Sequence, residues 1–391
     1  MRPTRITHLF PTFRGLGGVE SVLRHHHAHD ARHSLDSTFV IYHEGEMPPV
    51  ENVAFLGLHG RSTLGCARER LRKACEAASP EVAVWHGMWA MDHLAGMDQA
   101  ARRILVQHGD VPALERLLSR VGALLDGVLC VSPTLVPVVL RSVPALTADR
   151  VLAVPYPISP SVQDSPRRKG AGKPFVIGYC GRLIVEQKRV DRFPGLCDAL
   201  DQTGLEYQFE ILGDGPERVA LDRRSPSNRR VVSHGRLEGA SYWRVLRGWD
   251  AIIFTSDYEG TPIALLEALS AGVVPVYPRI ASGGDALVAG IADGLLYEPG
   301  RMDQAAATLA RLATLPEPEF AELRGRCVRA AEPHTGDDYL RLFGAFVRHI
   351  ADAKRVSSAG TRRLPAVFDA CSFDTLEWLG DVRRGIARLF R

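Results

Sequence analysis

Two cations stand six residues apart in the segment Gly181-Arg182-Leu183-Ile184-Val185-Glu186-Gln187-Lys188, directly after an apolar run that reads as a strand. Arg182 and Lys188 converging on one strand end suit a diphosphate, although a solvated loop would carry the same residues. Lys188 is set apart by rarity, because the chain has five lysines (73, 169, 173, 188, 354) against 43 arginines. A second segment, Ser256-Asp257-Tyr258-Glu259-Gly260-Thr261-Pro262-Ile263-Ala264-Leu265-Leu266-Glu267, offers a complementary half. Thr261 is a good helix N-cap and Pro262 suits the first helical position. The N–H groups of Ile263 and Ala264 are then expected at the helix end, where they can hold a phosphate. Glu259 precedes that helix and Glu267 lies in its second turn, so two glutamates flank an anion site and suit sugar hydroxyls. Glu267 sits inside the apolar run Ile263–Leu269, which argues against a plain surface glutamate.

Further loops carry weaker signals. Arg14-Gly15-Leu16-Gly17-Gly18-Val19-Glu20 opens a helix, and Gly17 and Gly18 would let a ligand approach the backbone. A tight turn explains the same glycines, and the dinucleotide pattern G-x-G-x-x-G is absent. Gly213-Asp214-Gly215-Pro216 follows another apolar run and taken alone reads as turn chemistry. His86 and His108 each close a strand, in Trp85-His86-Gly87 and Gln107-His108-Gly109, and are expected to face one cleft. In the run Arg24-His25-His26-His27-Ala28-His29, His25 and His29 are one helical turn apart, but no carboxylate or cysteine accompanies them, so a metal site is disfavoured. No D-x-D motif occurs anywhere in the chain, so no metal clamp is indicated.

The elements that position these loops alternate. Apolar runs at Ile6–Phe10, Thr38–Tyr42, Val53–Leu56, Val82–Trp85, Ile104–Gln107, Val128–Val131 and Val151–Val154 read as strands, with helical patterns at Val19–Arg32, Leu64–Ala77 and Pro133–Leu140. Near-continuous apolar strands between helices predict a doubly wound parallel sheet. Pro155–Pro174 holds five prolines without periodicity and reads as a linker. Alternation restarts at Phe175–Cys180 and continues through Tyr207–Leu212, Arg230–Ser233, Ala251–Thr255 and Val273–Tyr277, predicting a second α/β domain. In open sheets of this kind ligands bind beyond the carboxyl ends of the strands, where these loops lie.

A length of 391 residues favours two domains, and 46% hydrophobic with 24% charged residues excludes a disordered chain. Seven scattered cysteines without a C-x-x-C pair argue for reduced thiols. A net charge of +3 is too small for a dedicated nucleic-acid binder. Val121–Leu140 is interrupted by Asp126, Pro133 and Pro137, short of the roughly 20 apolar residues a membrane span needs. Without a span or an apolar leader, the expected location is cytoplasmic.

Together the loops resemble the retaining glycosyltransferases of family 4, which have the GT-B fold of two Rossmann-like doubly wound domains facing across a cleft. The resemblance rests on Gly17-Gly18-Val19-Glu20, Gly181-Arg182 with Lys188, Gly213-Asp214-Gly215-Pro216, the Glu259/Glu267 pair and Gly283-Gly284, over roughly residues 5–350. It implies that Arg182 and Lys188 hold a donor diphosphate, Glu259 the donor sugar and Glu267 the nucleotide ribose, with His108 near the reacting carbon. Gly17, Gly18, Gly181, Gly213, Asp214, Gly260, Thr261, Pro262, Ile263 and Ala264 would complete the donor site. Asp285 departs from the glutamate that many members have after the glycine pair, and Val232-Ser233-His234-Gly235 is a loose version of its counterpart. The expected plan is an acceptor-side domain at 1–155, a linker at 156–174, a nucleotide-sugar-binding domain at 175–335 and helices at 336–391 returning toward the N-domain.

The implied reaction moves a sugar from a UDP- or GDP-linked donor, with retention and without cofactor or metal, to a glycan or lipid-linked acceptor in bacterial cell-surface polysaccharide or lipopolysaccharide synthesis. Rivals are a nucleotide-sugar 2-epimerase and an inactive binding protein of the same fold. Trp378, Leu379, Val382, Ile386, Leu389 and Phe390 fall on one stripe of a terminal helix opposite Arg383, Arg384, Arg388 and Arg391. That stripe, with the basic helix Arg68–Lys73, makes an anionic membrane surface a candidate partner. Packing of the stripe on the N-domain is the alternative.

Overall fold

The computed structural model describes residues 2–15, 17–45, 48–88, 91, 101–109, 111, 113–154, 156–158, 173–224, 230–334, 338–356, 369–372 and 375. The terminal stripe 378–390 and most of the Pro155–Pro174 linker lie outside them.

Seven strands form the first sheet: β1 Thr4–Phe10, β2 Leu35–Ile41, β3 Val53–Phe55, β4 Val82–Trp85, β5 Arg102–Gln107, β6 Gly127–Cys130 and β7 Val151–Ala153. Their spatial order is β3-β2-β1-β4-β5-β6-β7, every pair parallel, with Ile6 opposite Val82 in the β1–β4 register. The second sheet has β8 Phe175–Cys180, β9 Tyr207–Leu212, β10 Val231–Gly235, β11 Ala251–Ile253, β12 Val274–Pro278 and β13 Leu296–Tyr297. Its order is β10-β9-β8-β11-β12-β13, again parallel throughout. All four residues of β4 and of β6 are buried, the pattern of strands covered by helices on both faces.

The helices show why the alternation works. In Leu64–Ala78 the buried positions are Leu64, Ala67, Leu71 and Cys75, a stripe at spacings of three and four. Thr63 caps this helix by accepting the Cys66 N–H at 3.2 Å, and Ser79 ends it in the left-handed conformation. Burying a side chain such as Leu71 contributes about 1.5–3 kcal/mol.

The chain reverses its winding between β1 and β4 in one sheet and between β8 and β11 in the other. Those two switch points are where an open parallel sheet leaves a crevice.

After the second sheet the helix Asp338–Asp352 lies on the first one, burying Tyr339, Leu340, Phe343, Phe346, Val347 and Ile350. Its end is pinned there: the Arg102 guanidinium donates to the Ala353 carbonyl at 2.9 Å and Arg150 to the Lys354 carbonyl at 2.6 Å. Further on, Leu64 N–H donates to the Cys371 carbonyl at 2.9 Å, and Arg68 pairs with Asp369. Arg72 pairs with Glu69 and Glu76, so the basic helix Arg68–Lys73 is largely neutralised by its own neighbours. Among the described residues no helix is long and apolar enough to cross a membrane.

Candidate functional site

The loops beyond β8, β9 and β10 are stitched edge to edge. Gly181 N–H donates to Leu212 O, Leu183 N–H to Asp214 O and Gly213 N–H to Gly235 O, all within 3.0 Å. Gly213 has φ 153°, and a Cβ there would overlap the Gly181 carbonyl oxygen, so only glycine lets these two strand ends approach. Asp214 turns away to its own loop, accepting Gly215 N–H at 2.8 Å and pairing with Arg218 at 3.5 Å.

The loop beyond β8 is also fastened to the loop beyond β11. Lys188 Nζ lies 2.5 Å from Glu259 Oε1, with side chains 15% and 6% exposed. Ser256 Oγ donates to the same oxygen at 2.6 Å, and Gln187 Nε2 donates to Glu259 Oε2 at 3.3 Å. Thr255 Oγ1 donates to the Lys188 carbonyl at 2.7 Å, and Asp257 holds both Arg189 and Arg192 at 2.6 Å. Arg182 is exposed at the mouth and donates to Gln187 Oε1 at 2.9 Å. One cation is thus free to meet an anion directly, whereas the other is held by a buried carboxylate.

The helix Ile263–Ser270 starts one residue later than the sequence suggests. Pro262, at φ −61° and ψ 132°, is extended and serves as the N-cap, with no side-chain cap bond. Thr261 is buried instead against Gly283, where a Cβ would overlap its hydroxyl. Leu265 N–H donates to the Pro262 carbonyl at 3.0 Å, leaving Ile263 and Ala264 as the first N–H groups of the helix. Ile263 reaches across to the first sheet: a Cβ on Gly18 would lie 3.2 Å from its Cδ1. Gly17 caps the Gly18–His29 helix, and Glu20 folds back over the glycine loop to accept the Thr12 hydroxyl at 2.7 Å.

Glu267, on the second turn of the same helix, accepts the Tyr242 hydroxyl. Burial pushes its carboxyl up to about 7, against the lowering effect of that bond. Tyr242 also meets Cys180 Sγ at 3.6 Å, so β8, the Gly239–Leu246 helix and Glu267 form one wall.

From the first sheet, His108 is half-buried with Nδ1 bonded to the Tyr156 hydroxyl, and its Nε2 has no hydrogen-bond partner among the described residues. His108 Nδ1 and the Tyr156 hydroxyl thus share one hydrogen bond, and which of them donates follows from the ring tautomer. Burial, reinforced by the charge of His26, lowers the His108 pKa to about 3. The backbone beside it touches the second domain: a Cβ on Gly109 would lie 3.2 Å from Gly260 N, and one on Gly260 would lie 2.5 Å from the His108 carbonyl oxygen. His86 departs from expectation. It is 1% exposed, stacked on His108 at 5.4 Å between centroids and bonded to His8, so it lies behind the cleft and not on it.

Gln187, Ser256, Tyr242, Cys180 and Tyr156 join the site without having been singled out from sequence. Gln187 and Ser256 sit inside segments that were, and their polarity at a strand end was the available signal. Tyr242 and Tyr156 come from distant elements and left none. A separate groove of about 410 Å³, lined by Lys173, Gln208, Glu210, His234 and Arg244 among others, shares no residue with this cleft.

Residues 174–314 match the family described as Glycosyl transferases group 1. Lipopolysaccharide 1,6-galactosyltransferase of Salmonella typhimurium (strain LT2) is 34% identical over 148 residues, which cover 36% of this chain and 40% of that protein. The chain therefore matches about two fifths of the length of that curated relative. Among solved structures, the lipopolysaccharide outer core galactosyltransferase WaaB in its apo form superposes with a TM-score of 0.64 at 21% identity, covering 88% of this chain and 99% of that one. The pneumococcal O-GlcNAc transferase GtfA in complex with UDP and GlcNAc gives 0.70 at 11% identity, over 90% and 100%. At these identities the likeness establishes the fold, two Rossmann-like parallel-sheet domains in the GT-B arrangement.

Proposed function

We propose that the protein is a retaining, metal-independent glycosyltransferase of family 4 type, moving a sugar from a UDP-linked donor to a lipopolysaccharide or related cell-surface glycan acceptor. The observation that carries this reading is the meeting of the two switch points. The Lys188–Glu259 pair and the Ile263 helix end come from one sheet, Gly18 and His108 from the other, and Gly109 touches Gly260 between them. The Salmonella galactosyltransferase and the UDP complex of GtfA support the choice of acceptor and of nucleotide.

Breaking a sugar–phosphate bond develops negative charge on the leaving diphosphate and positive charge at the anomeric carbon. Arg182, Lys188 and the N–H groups of Ile263 and Ala264 answer the first, and such preorganised donors are usually the largest catalytic term. Glu259 faces the donor sugar, and Glu267 takes the ribose hydroxyls. Retention by same-face attack fits Glu259, because a carboxylate already accepting from Lys188, Ser256 and Gln187 is a poor nucleophile. Burial keeps His108 neutral at physiological pH, and with Nδ1 taken as the acceptor from Tyr156 its Nε2–H is the donor assigned to the sugar side, in place of a proton shuttle. With Arg182 and Lys188 supplying the positive charge, the reaction takes neither cofactor nor divalent metal.

Thermal shift with UDP, GDP and ADP tests the nucleotide: UDP at 100 times its Kd stabilises by about 2.7 kcal/mol. Release of UDP from UDP-galactose and UDP-glucose, with and without lipopolysaccharide core acceptor and in excess EDTA, tests the reaction. Stabilisation by none of the three nucleotides, or turnover abolished by EDTA and restored by Mg²⁺, overturns the corresponding part.

A further inference from the structure

Behind the cleft lies a chain of histidines that the proposed reaction does not use directly. Asp30, 2% exposed at the end of the first helix, is its anchor. Asp30 Oδ1 accepts His26 Nδ1–H at 2.8 Å, and Oδ2 accepts both the Ser37 hydroxyl at 2.6 Å and His8 Nε2–H at 3.2 Å. His8 Nδ1 lies 2.8 Å from His86 Nε2, and His86 stacks on His108 with rings inclined by 17°. At the other end His26 Nε2 meets the Tyr339 hydroxyl at 2.9 Å, on the helix that returns to the first sheet. His8, His26 and His86 are all buried.

The carboxylate settles the proton positions. An ionised Asp30 has no proton to donate, so His8 must carry its proton on Nε2. Neutral His8 then presents a lone pair at Nδ1, and His86 must place its own proton on Nε2 to meet it. Burial lowers His8 to about 4 and His86 well below its ordinary value, so both stay neutral through the physiological range. Burial alone would raise the Asp30 carboxyl, but the His26 charge and the bonds from both histidines outweigh it and keep it ionised. His8 is held in plane by Phe39 and Phe343, at 4.8 and 5.8 Å between centroids.

We infer that Asp30 is a positioning residue for the cleft, fixing through His8 the tautomer and ring plane of His86, and through that stacked ring the plane of His108. This role rests on the proposed glycosyl transfer, in which His108 faces the donor sugar. A carboxylate that sets the tautomer of a distant imidazole is a known device for orienting a reacting group. Here it acts through two rings, so its loss affects turnover more than donor binding. The same atoms also pose a rival arrangement. His8, His26 and Asp30 place one ligand-type atom each within 4.8 Å of one another, and a metal ion there would reverse the His8 tautomer.

The test is a two-bond ¹H–¹⁵N correlation spectrum of histidine-labelled protein between pH 6 and 8, joined to steady-state kinetics with the UDP-sugar that the wild type turns over. His8 and His86 are expected as Nε2–H tautomers across the range. His8→Phe keeps an aromatic ring between Phe39 and Phe343 and removes both nitrogens. It is expected to release His86 into a mixture of tautomers and to lower kcat about tenfold with the donor KM within about twofold, the scale of one orienting hydrogen bond. Asp30→Asn keeps an acceptor for His8 and is expected to retain the wild-type tautomers and most of the activity. The inference is overturned by His86 as Nδ1–H in the wild type, by His8→Phe at full kcat, or by one equivalent of bound metal in the purified protein with His8 as Nδ1–H. The wild-type spectrum decides even where His8→Phe does not fold. Correct tautomers in a protein that turns over no nucleotide sugar would instead sink the proposed function.

Discussion

Lys188 Nζ and Glu259 Oε1 are 2.5 Å apart and join the two loops that flank the switch point of the second sheet. Both side chains are largely buried, so each neutralises a charge that would otherwise stand alone in a poorly solvated cleft. In the proposed reaction an incoming diphosphate shares Lys188 with Glu259, while Arg182 is already exposed to receive it. Lys188→Ala is therefore expected to lower kcat by about 100-fold or more, the scale of one lost donor to a developing anion. The check is turnover of UDP-sugar by folded Lys188→Ala, with circular dichroism establishing the fold. A rate within threefold of wild type would contradict the role.

Tyr156 is expected to control His108 without touching substrate. Its hydroxyl caps His108 Nδ1, and its carbonyl lies 3.2 Å from His334 Nδ1, which ties together the two connections between the domains. Tyr156→Phe frees the His108 ring to change tautomer and should reduce kcat five- to tenfold, with Tm lowered by no more than about 4 °C. Steady-state kinetics beside a thermal melt separates this from a general loss of stability.

Much of the architecture was legible because it follows from short-range chemistry. Phe175–Cys180, an apolar run between Pro174 and Gly181, and Tyr207–Leu212, which alternates apolar residues with Gln208 and Glu210 before Gly213, read as strands to the residue. Leu296–Tyr297 left no such run and was missed. Thr261 looked like an N-cap because the pattern Thr-Pro favours one; extended Pro262 takes the cap and Gly283 gives Thr261 a place to pack. The histidine run held two pairs at helical spacing, His25/His29 and His26/Asp30. The second was chosen by burial, with Val22, His26 and Asp30 on one stripe, so a carboxylate does accompany the run, contrary to the sequence reading: Asp30 directly follows His29 and pairs with His26. That His8 and His86 arrive from β1 and β4 is a tertiary fact with no local signature.

In the proposed reaction Glu267 gives donor binding a pH dependence with a defined sign. Its carboxyl titrates at about 7, raised by burial, and ribose hydroxyls need the ionised form as acceptor. Donor KM should rise as pH falls below about 7, with kcat less affected. The Tyr242 hydroxyl lowers this pKa, so Tyr242→Phe should move the inflection upward. KM profiles from pH 5.5 to 8.5 for wild type and Tyr242→Phe measure both; a flat wild-type profile would contradict the assignment.

The buried histidines predict acid instability. Burial lowers His8 to about 4, His108 to about 3 and His334 to about 4, and lowers His86 well below its ordinary value. Unfolded histidines titrate near 6.5, so between about 6.5 and 4 the unfolded chain binds more protons and stability falls as pH falls. Glu267 acts in the opposite sense from about 7 to 4.5, because there the folded state holds the extra proton. Four groups against one leave a net loss, each histidine contributing at most about 1.4 kcal/mol per pH unit. Urea midpoints at pH 7, 6 and 5 should decrease in that order, and a constant midpoint would show that these rings are solvated.

Gly260 offers the sharpest test of how the two domains meet. A Cβ there would lie 2.5 Å from the His108 carbonyl oxygen and 3.0 Å from Gly109 Cα, both backbone atoms that cannot rotate away. Gly260→Ala must therefore push the Glu259 loop off the His108 loop, separating Arg182 and Lys188, the cations of the proposed diphosphate site, from His108. The contact lies between domains and outside either sheet, so each domain keeps its own core. The expected result is a loss of kcat of at least about 100-fold, as for a misplacement of about 1 Å between reacting groups. UDP affinity should hold within a few-fold, because Arg182, Lys188 and Glu267 all belong to the second domain. Gly290→Ala is the matched control, since a Cβ there meets nothing within 4 Å. Full turnover by Gly260→Ala would mean that catalysis does not require the His108 and Glu259 loops in contact.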